Sequence, residues 1–181
     1  TLDKTKKFVL SAMNSNIKHI IKIGSLGPWR LIHTQLNSFL LESRVPYTSF
    51  NIAPLMNNIF TEQYDSDNKI FYDYRNNAPA PYLDPACLAK AIEESMGKEI
   101  HFNKSYSCTG NTQYTTKEVV EILKAKNYDV QKTQHTTSST IHSMKDDNND
   151  FIMMKHIANR YKTEGWYPQI SSDLPSVFNA H

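Results

Sequence analysis

The chain has 181 residues, 39% of them hydrophobic, and a formal net charge of +2, which fits one domain with a sizeable core. Basic and acidic residues are interspersed without a basic stripe, so we expect no direct binding of nucleic acid. The apolar runs are far shorter than the ~20 residues of a membrane helix, and no secretory leader is visible. We therefore expect a protein of the cytoplasm, with the nucleus as a second compartment left open.

The N-terminal third has the pattern of a layered α/β protein. Apolar residues at helical spacing predict a helix over 2–14, and a near-continuous apolar run predicts a strand over 19–24, covered on both faces. A loop at 25–28, a helix over 31–43 and a strand over 45–52 follow. This alternation predicts parallel strands joined by right-handed crossovers.

Shorter elements follow Pro54. Asp84 and Pro85 are a good N-cap and first residue for a helix, and Thr115 with Glu118 forms a capping box for another, whose inner face is Val119, Val120, Ile122 and Leu123. The pattern further predicts a helical turn at 55–60, strands at 69–74 and 104–108, helices at 85–96 and 116–126, and a strand that begins at 128–130.

The last part of the chain gives weaker signals. Residues 133–149 are polar and low in complexity, and we expect a loop there that adds little to the core. Residues 150–164 recover a helical pattern, and the tail from Gly165 is expected to be irregular. The two cysteines, Cys87 and Cys108, lack metal-ligand spacing, and we favour two reduced thiols over a disulfide between them. We predict no metal site.

Five segments, in order, resemble the NmrA-like branch of the atypical short-chain dehydrogenase/reductase family. His-Ile-Ile-Lys-Ile-Gly-Ser resembles the family's fifth strand, and the helix that begins His-Thr-Gln-Leu-Asn resembles its His-x-x-Thr-Glu helix. Ala-Pro-Leu-Met-Asn-Asn resembles its Pro-x-x-Met-x-Asn. The segments Tyr-Leu-Asp-Pro-Ala-Cys-Leu-Ala and Ser-Cys-Thr-Gly resemble its Tyr-Ile-Asp-x-x-Asp-Ile-Ala and Leu-Thr-Gly. These segments occupy 19–25, 33–48, 53–58, 82–92 and 105–119.

The resemblance implies a Rossmann-like doubly wound parallel sheet with a small α+β subdomain on the substrate side. Residues 1–54 would be the C-terminal part of an NAD(P)-binding domain, and 55–181 the smaller subdomain, interleaved with the sheet. It implies NADP or NAD as cofactor, with a protein partner as a further option. The residues that it places near the cofactor are Gly24, Ser25, His33, Asn51, Ala53, Pro54 and Met56.

The chain departs from the family where phosphate binding is concerned. Its five glycines, at 24, 27, 97, 110 and 165, do not form the Gly-x-x-Gly-x-x-Gly loop that holds the pyrophosphate at a helix N-terminus. That loop belongs to the family's first strand and helix. We therefore expect that cofactor binding needs an N-terminal half that is absent from this chain. A natural half-size protein and a cleaved two-chain assembly are the alternatives.

The catalytic pair is also changed. No Tyr-x-x-x-Lys pair follows directly after the loop at Ser25, and by spacing Trp29 stands at the tyrosine position and His33 at the lysine position. Tryptophan cannot act as a general acid near neutral pH, so chemistry by the usual pair is disfavoured. His33 is either a ribose contact or a solvent-facing residue, and Ser25 either a site residue or an ordinary loop residue. Two further charges of the family are replaced by Asn37 and Asn51.

Three functions follow from the resemblance, and the sequence leaves open whether the protein is an enzyme. The first is an NAD(P)-binding regulator or redox sensor without the catalytic pair. The second is an NAD(P)H-dependent reductase, quinone-type, that works by direct hydride transfer. The third is an interaction protein that does not bind a cofactor.

Overall fold

The structure is a computed structural model that describes residues 2–26, 30–135 and 169–178, with only the backbone described for Leu2 and for 30–34. Its helices and strands, in chain order, are α1 Leu2–Met13, β1 Ile20–Ser25, α2 Arg30–Ser43, β2 Tyr47–Ile52, a π-helical segment Ile59–Gln63, β3 Tyr64–Asp65, β4 Ile70–Asp73, α3 Pro85–Ser95, a 3₁₀ turn Glu99–His101, β5 Lys104–Cys108, α4 Thr116–Ala125, β6 Lys132–His135 and α5 Asp173–Phe178. None of the helices in this described part is long and apolar enough to span a membrane.

The main sheet is parallel and has the order β1-β2-β5. This confirms the α/β fold class. Helix α2 is the crossover between β1 and β2, and α1 packs beside it through Val9 and Leu40, which are both almost fully buried. β5 comes from the second of the two predicted segments, yet it pairs with β2. The boundary at residue 54 stays a prediction.

A second, smaller sheet has the order β3-β4-β6, with β3 antiparallel and β6 parallel to β4. It packs against α4 around Phe71, which is fully buried, and Val130. A separate apolar cluster joins the main sheet to α3 and α5, with Phe50 at its centre. The ring of Phe178 in α5 lies 5.7 Å from that of Phe50 and 4.9 Å from that of Tyr106.

Several sequence predictions are confirmed. Strand β5 has the predicted limits, Asp84 caps α3 by accepting from the Ala86 N–H at 2.8 Å, and the Thr115–Glu118 capping box is formed. Both cysteines are free thiols.

Other predictions are wrong. The strand expected to begin at 128–130 begins instead at Lys132 and extends to His135, into the segment expected to be a loop, because pairing with β4 supplies its backbone partners. The tail contains helix α5, whose Leu174 and Phe178 complete the core cluster. Ile122 is 46% exposed, because the buried face of α4 follows a three- and four-residue spacing that this position misses. The segment 136–168, with the predicted helix 150–164, lies outside the described residues.

β1 also differs from expectation. It was predicted to be covered on both faces, but its burial alternates and Ile23 is 53% exposed. In the described part of the chain β1 is an outer strand of the main sheet. Phe8 and Leu10 of α1 are exposed as well. Both α1 and β1 therefore carry exposed apolar side chains.

Asp73, at the end of β4, connects the elements of the smaller sheet. Its buried carboxylate accepts the backbone N–H groups of Arg75 at 3.0 Å and Asn77 at 2.7 Å, and the Thr116 hydroxyl at 2.8 Å. His135 Nδ1 of β6 lies 2.8 Å from the same carboxylate. One fully buried carboxylate thus holds a turn, the start of α4 and β6 to β4, since a buried carboxylate must be satisfied by such partners.

We expect Asp73→Asn to lower the free energy of unfolding by about 3 kcal/mol, because in either orientation its NH₂ would face a backbone N–H, of Arg75 or Asn77, that can only donate. Thr116→Val removes one donor and keeps the shape, so its cost should be about 1 kcal/mol. Urea denaturation of both variants measures this. Equal costs for the two variants would show that the carboxylate does not connect these elements.

Lys22 is a buried amine between the main sheet and α2. It is 8% exposed, and its Nζ donates to Asn37 Oδ1 at 2.7 Å and to Ser49 Oγ at 3.3 Å. Burial lowers the pKa of Lys22 to about 8. The two neutral oxygens near the amine do not offset the cost of burying its charge.

This burial makes stability depend on pH. The unfolded chain holds the Lys22 proton up to its ordinary pKa of 10.5 and the folded chain only to about 8, so the unfolded state binds more protons between these values. The free energy of unfolding should rise with pH across that window, by at most about 3 kcal/mol, and lose this contribution as pH falls through 8. Urea titrations from pH 7.5 to 10.5 should show a flatter slope for Lys22→Met than for the parent or for the exposed-site control Lys18→Met. Parallel slopes for all three would refute the assignment.

Candidate functional site

The three strands of the main sheet end together. Ser25, Ile52 and Cys108 are in register at the carboxyl ends of β1, β2 and β5. The Leu26 N–H donates to the Ile52 carbonyl at 2.9 Å, and the Ala53 N–H donates to the Cys108 carbonyl at 2.8 Å. Ligands of open parallel sheets bind outside this edge. It is therefore the candidate functional site.

Three of the predicted site residues lie together at this edge. Gly24 is the register partner of Asn51, and Ser25 follows it as the last residue of β1. Gly24 is buried and Ser25 is half-buried. The Asn51 side chain donates to Ser105 Oγ at 2.9 Å, across β2 and β5. The Asn51 amide is thus tied to the neighbouring strand.

The segment after β2 contains three more predicted residues, and it runs beside residues 81–83. The Leu83 N–H donates to the Pro54 carbonyl and the Met56 N–H donates to the Leu83 carbonyl, both at 2.9 Å. Ala53 is buried and its N–H is used by β5, whereas the Met56 side chain is 41% exposed. A ligand would therefore meet carbonyl groups and the Met56 side chain here, since the N–H groups of Ala53 and Met56 are already used.

His33 lies in α2, in the part for which only the backbone is described, and Trp29 lies outside the described residues. Their roles stay predictions. A Tyr-x-x-x-Lys spacing does occur later, at Tyr128 and Lys132, but Lys132 lies in strand β6. The helical spacing that puts both side chains of the usual pair on one face is therefore missing there.

A cavity of about 520 Å³ opens beside this edge, and we call it the sheet-edge cavity. Met56, Leu83, Cys87 and Leu174 give it apolar walls. Its polar wall is the turn after β5. The remaining residues around it are Tyr82, Asp84, Thr109, Gly110, Asn111, Thr112, Tyr114, Ile170, Ser171, Ser172 and Pro175. Of the residues that the resemblance selected, Met56 lines this cavity.

The turn after β5 depends on Gly110. Its N–H donates to the Pro81 carbonyl at 3.1 Å, and a Cβ built on Gly110 would lie 2.1 Å from the Tyr82 carbonyl oxygen. Thr109 Oγ1 accepts the Ser171 N–H at 2.9 Å and so ties the segment before α5 to the same turn. The residues Thr109-Gly110-Asn111 predict this turn, but no local pattern predicts its contact with Tyr82.

Tyr82 forms the rear wall of the cavity and is 2% exposed. Its hydroxyl donates to Gln63 Oε1 at 3.0 Å and accepts from Arg75 Nη2. Burial raises the pKa of Tyr82, against the opposing effect of Arg75. Tyr82 is thus a neutral phenol whose proton is already committed.

Arg75 is 4% exposed, and its guanidinium lies 4.8 Å from the centre of the Tyr82 ring. Its Nε and Nη1 are buried without a hydrogen-bond partner in the described structure. The ring contact is a cation–π interaction that stabilises the charge in part. Sequence reasoning missed Arg75, Gln63 and Tyr82, because their contacts join segments far apart in the chain.

Cys108, the last residue of β5, is buried and does not line the cavity. Burial, with a smaller effect of Asp173, raises the pKa of Cys108 to about 12, so it stays a thiol. Cys108 packs as a small apolar residue at the end of β5. Within the described ranges, no group of three or more histidine, cysteine or carboxylate side chains is placed to hold a metal ion.

No protein-family model matches the sequence, and no curated protein is significantly similar to it. Solved structures do match. A nucleoside-diphosphate-sugar epimerase from Staphylococcus aureus superposes with a TM-score of 0.77 at 17% identity, over 98% of this chain and 66% of that one. The triphenylmethane reductase of a Citrobacter species, complexed with NADP(H), gives 0.75 at 18% identity, over 97% and 66%. An NADPH-dependent quinone oxidoreductase from Escherichia coli gives 0.74 at 15% identity, over 98% and 68%.

These identities show the fold alone. The chain has the Rossmann-like fold of NAD(P)-dependent reductases and epimerases, and it spans about two thirds of the length of the structures that it matches. The Rossmann-like fold implied by the sequence is therefore confirmed. The family and its NmrA-like branch are finer statements that the fold does not decide.

We expect Gly110→Ala to destabilise the fold by about 2 kcal/mol or more, because the new methyl group must push the turn away from the Tyr82 carbonyl. Gly97→Ala is the matched control. Gly97 has φ +68° but open space around it, so only the left-handed backbone costs energy, about 1 kcal/mol. Urea denaturation compares the two, and a smaller cost at Gly110 would contradict the close approach.

Proposed function

We propose that this chain is part of an NmrA-like NAD(P)-binding protein of the cytoplasm that acts as a regulator or redox sensor. The nicotinamide half of the cofactor would lie at the carboxyl edge of the main sheet. The aligned ends of β1, β2 and β5, with a cavity beside them, are the observation that carries this proposal. Two of the matched structures, the Citrobacter reductase and the E. coli oxidoreductase, are complexes with NADP(H) and NADPH.

The proposal assigns a role to each residue selected from the sequence. Gly24 lets the cofactor approach the end of β1, and Ser25 donates a hydroxyl there. Asn51 and the carbonyl groups of Ala53 and Pro54 face the amide end, while Met56 packs against the ring. His33, at the start of α2, hydrogen-bonds a ribose hydroxyl.

The pyrophosphate needs a glycine-rich loop that this sequence does not contain. We propose that a further polypeptide supplies it and packs against the outer side of β1. The exposed Ile23 of β1 and Phe8 of α1 support this, since a parallel strand and its helices are normally covered by neighbours. The same surface is one that a protein partner of the sensor could occupy.

Two buried groups near the sheet edge support binding over turnover. The Tyr82 hydroxyl donates to Gln63, and burial raises its pKa. Burial also raises the pKa of the Cys108 thiol, at the end of β5, to about 12. Neither group is suited to transfer a proton near neutral pH. A quinone-type NAD(P)H reductase without a protein acid, and an interaction protein without cofactor, are the outcomes that the experiment must separate.

The test uses the 181-residue chain together with the complete product of its gene. We expect the complete product to bind NADPH in isothermal titration calorimetry, and to oxidise NADPH with menadione no faster than background. Met56→Glu should weaken binding at least tenfold, because it places a carboxylate near the negatively charged cofactor. Met96→Glu is the control, since Met96 is also exposed, 56% against 41% for Met56, but follows α3.

Turnover of NADPH with menadione well above background would show the reductase. Absence of NADPH and NADH binding by the complete product would show the interaction protein. Equal loss of affinity in Met56→Glu and Met96→Glu would show that the cofactor does not bind at the proposed edge.

A further inference from the structure

A second concave surface lies on the other side of Met56, Tyr82 and Tyr114 from the sheet-edge cavity. Its volume is about 500 Å³. The π-helical segment provides Phe60, and α4 with the following turn provides Ile122 and Tyr128. We call this surface the apolar groove. Of the residues that line this groove, only Met56 was also selected by the resemblance.

The groove has a buried floor and an exposed apolar rim. Tyr82, Val119 and Leu123 on the floor are at most 5% exposed. Phe60 and Tyr128 on the rim are 49% and 41% exposed. Ile122 and Met56 are exposed to a similar degree, so four large apolar side chains that face solvent meet at one concave place. Such a concentration is typical of a binding surface.

Aromatic rings define the shape of the groove. The rings of Phe60 and Tyr128 lie 5.3 Å apart, and Tyr64 meets Tyr128 edge-on at 5.9 Å. Together with Tyr82 and Tyr114 they surround the groove with ring faces and edges. Rings at these distances favour further rings in offset or edge-on contact. The complementary ligand is therefore flat and aromatic.

The charge at the groove has one sign. Lys126 is the charged residue among those that line it, and it has no ion-pair partner in the described part of the chain. The nearby Asp129 is paired with Lys69, and Glu121 lies 3.9 Å from Lys124. The carboxylates closest in sequence are thus partly neutralised, and Lys126 remains to attract an anion.

We propose that the apolar groove binds a small aromatic molecule with an acidic group, its ring between Phe60 and Ile122 and its acidic group toward Lys126. The volume fits a small molecule, since such sites measure about 300–1,000 Å³. A protein partner would need about 800 Å² of its surface covered, more than a concavity of this size offers. The proposal does not depend on the dinucleotide proposal, although an occupant would touch the same Met56 side chain.

The experiment uses two fluorescent probes that differ in charge, 1-anilinonaphthalene-8-sulfonate and the uncharged N-phenyl-1-naphthylamine, each titrated into the full chain. We expect the sulfonate to bind with one saturable site of micromolar affinity. Ile122→Asp should abolish that site, because it places a carboxylate at the rim. Ile100→Asp is the matched control, since Ile100 is more exposed and lies in the 3₁₀ turn, away from the groove.

Lys126→Gln should weaken binding of the sulfonate about fivefold, as expected for loss of one exposed charge contact, and leave the uncharged probe unchanged. Phe60→Ala should weaken both probes. Equal effects of Ile122→Asp and Ile100→Asp would show that the probe does not bind at the groove but binds exposed apolar side chains in general. An equal response of the two probes to Lys126→Gln would overturn the acidic group as part of the ligand.

Discussion

The close approach of Gly110 to the Tyr82 carbonyl is the contact on which the functional half of the molecule depends. It brings the turn after β5 against residues 81–83, which in turn hold the segment after β2 through the Leu83 hydrogen bonds to Pro54 and Met56. Three segments from distant parts of the chain thus meet at the carboxyl edge. No side chain fits at residue 110 without moving this backbone. A glycine is therefore needed at residue 110 because of packing and not because of its φ angle.

This contact also fixes Tyr82, whose ring separates the two concave surfaces. The sheet-edge cavity and the apolar groove share Tyr82, Met56 and Tyr114 as a common wall. Behind that wall, Arg75 and Gln63 hold the Tyr82 hydroxyl. A buried guanidinium is costly unless it is compensated. Here the Tyr82 ring and hydroxyl compensate it in part, which restrains the ring from both its face and its end.

Local signals in the sequence predicted much of the fold. Caps and periodic apolar positions located α3 and α4, because capping is decided by residues two or three positions apart. The parallel strands were predicted from apolar runs separated by a helix. β6 and α5 were missed for the opposite reason. β6 is polar and becomes a strand only through β4, and α5 is short and forms where Leu174 and Phe178 can be buried.

The site could be predicted only as far as the sheet edge. The resemblance located Gly24, Ser25, Asn51 and Met56 near strand ends, and three of them do meet there. It could not locate Arg75 and Gln63, whose side chains hydrogen-bond the Tyr82 hydroxyl. Arg75 follows β4 of the smaller sheet and Gln63 ends the π-helical segment, so both are far from Tyr82 in local pattern. Contacts of this kind depend on tertiary packing, which overrides local pattern.

Neutral side chains connect the main sheet to its neighbours at two positions. Asn37 of α2 accepts from the Lys22 amine of β1, and burial lowers the pKa of Lys22 to about 8. A carboxylate at residue 37 would hold this amine charged, whereas a neutral amide allows it to lose its proton more easily. Asn51, near the carboxyl end of β2, makes a neutral hydrogen bond to Ser105 of β5. Because both partners are amides, neither contact is an ion pair, and the ionisation of Lys22 depends mainly on its burial.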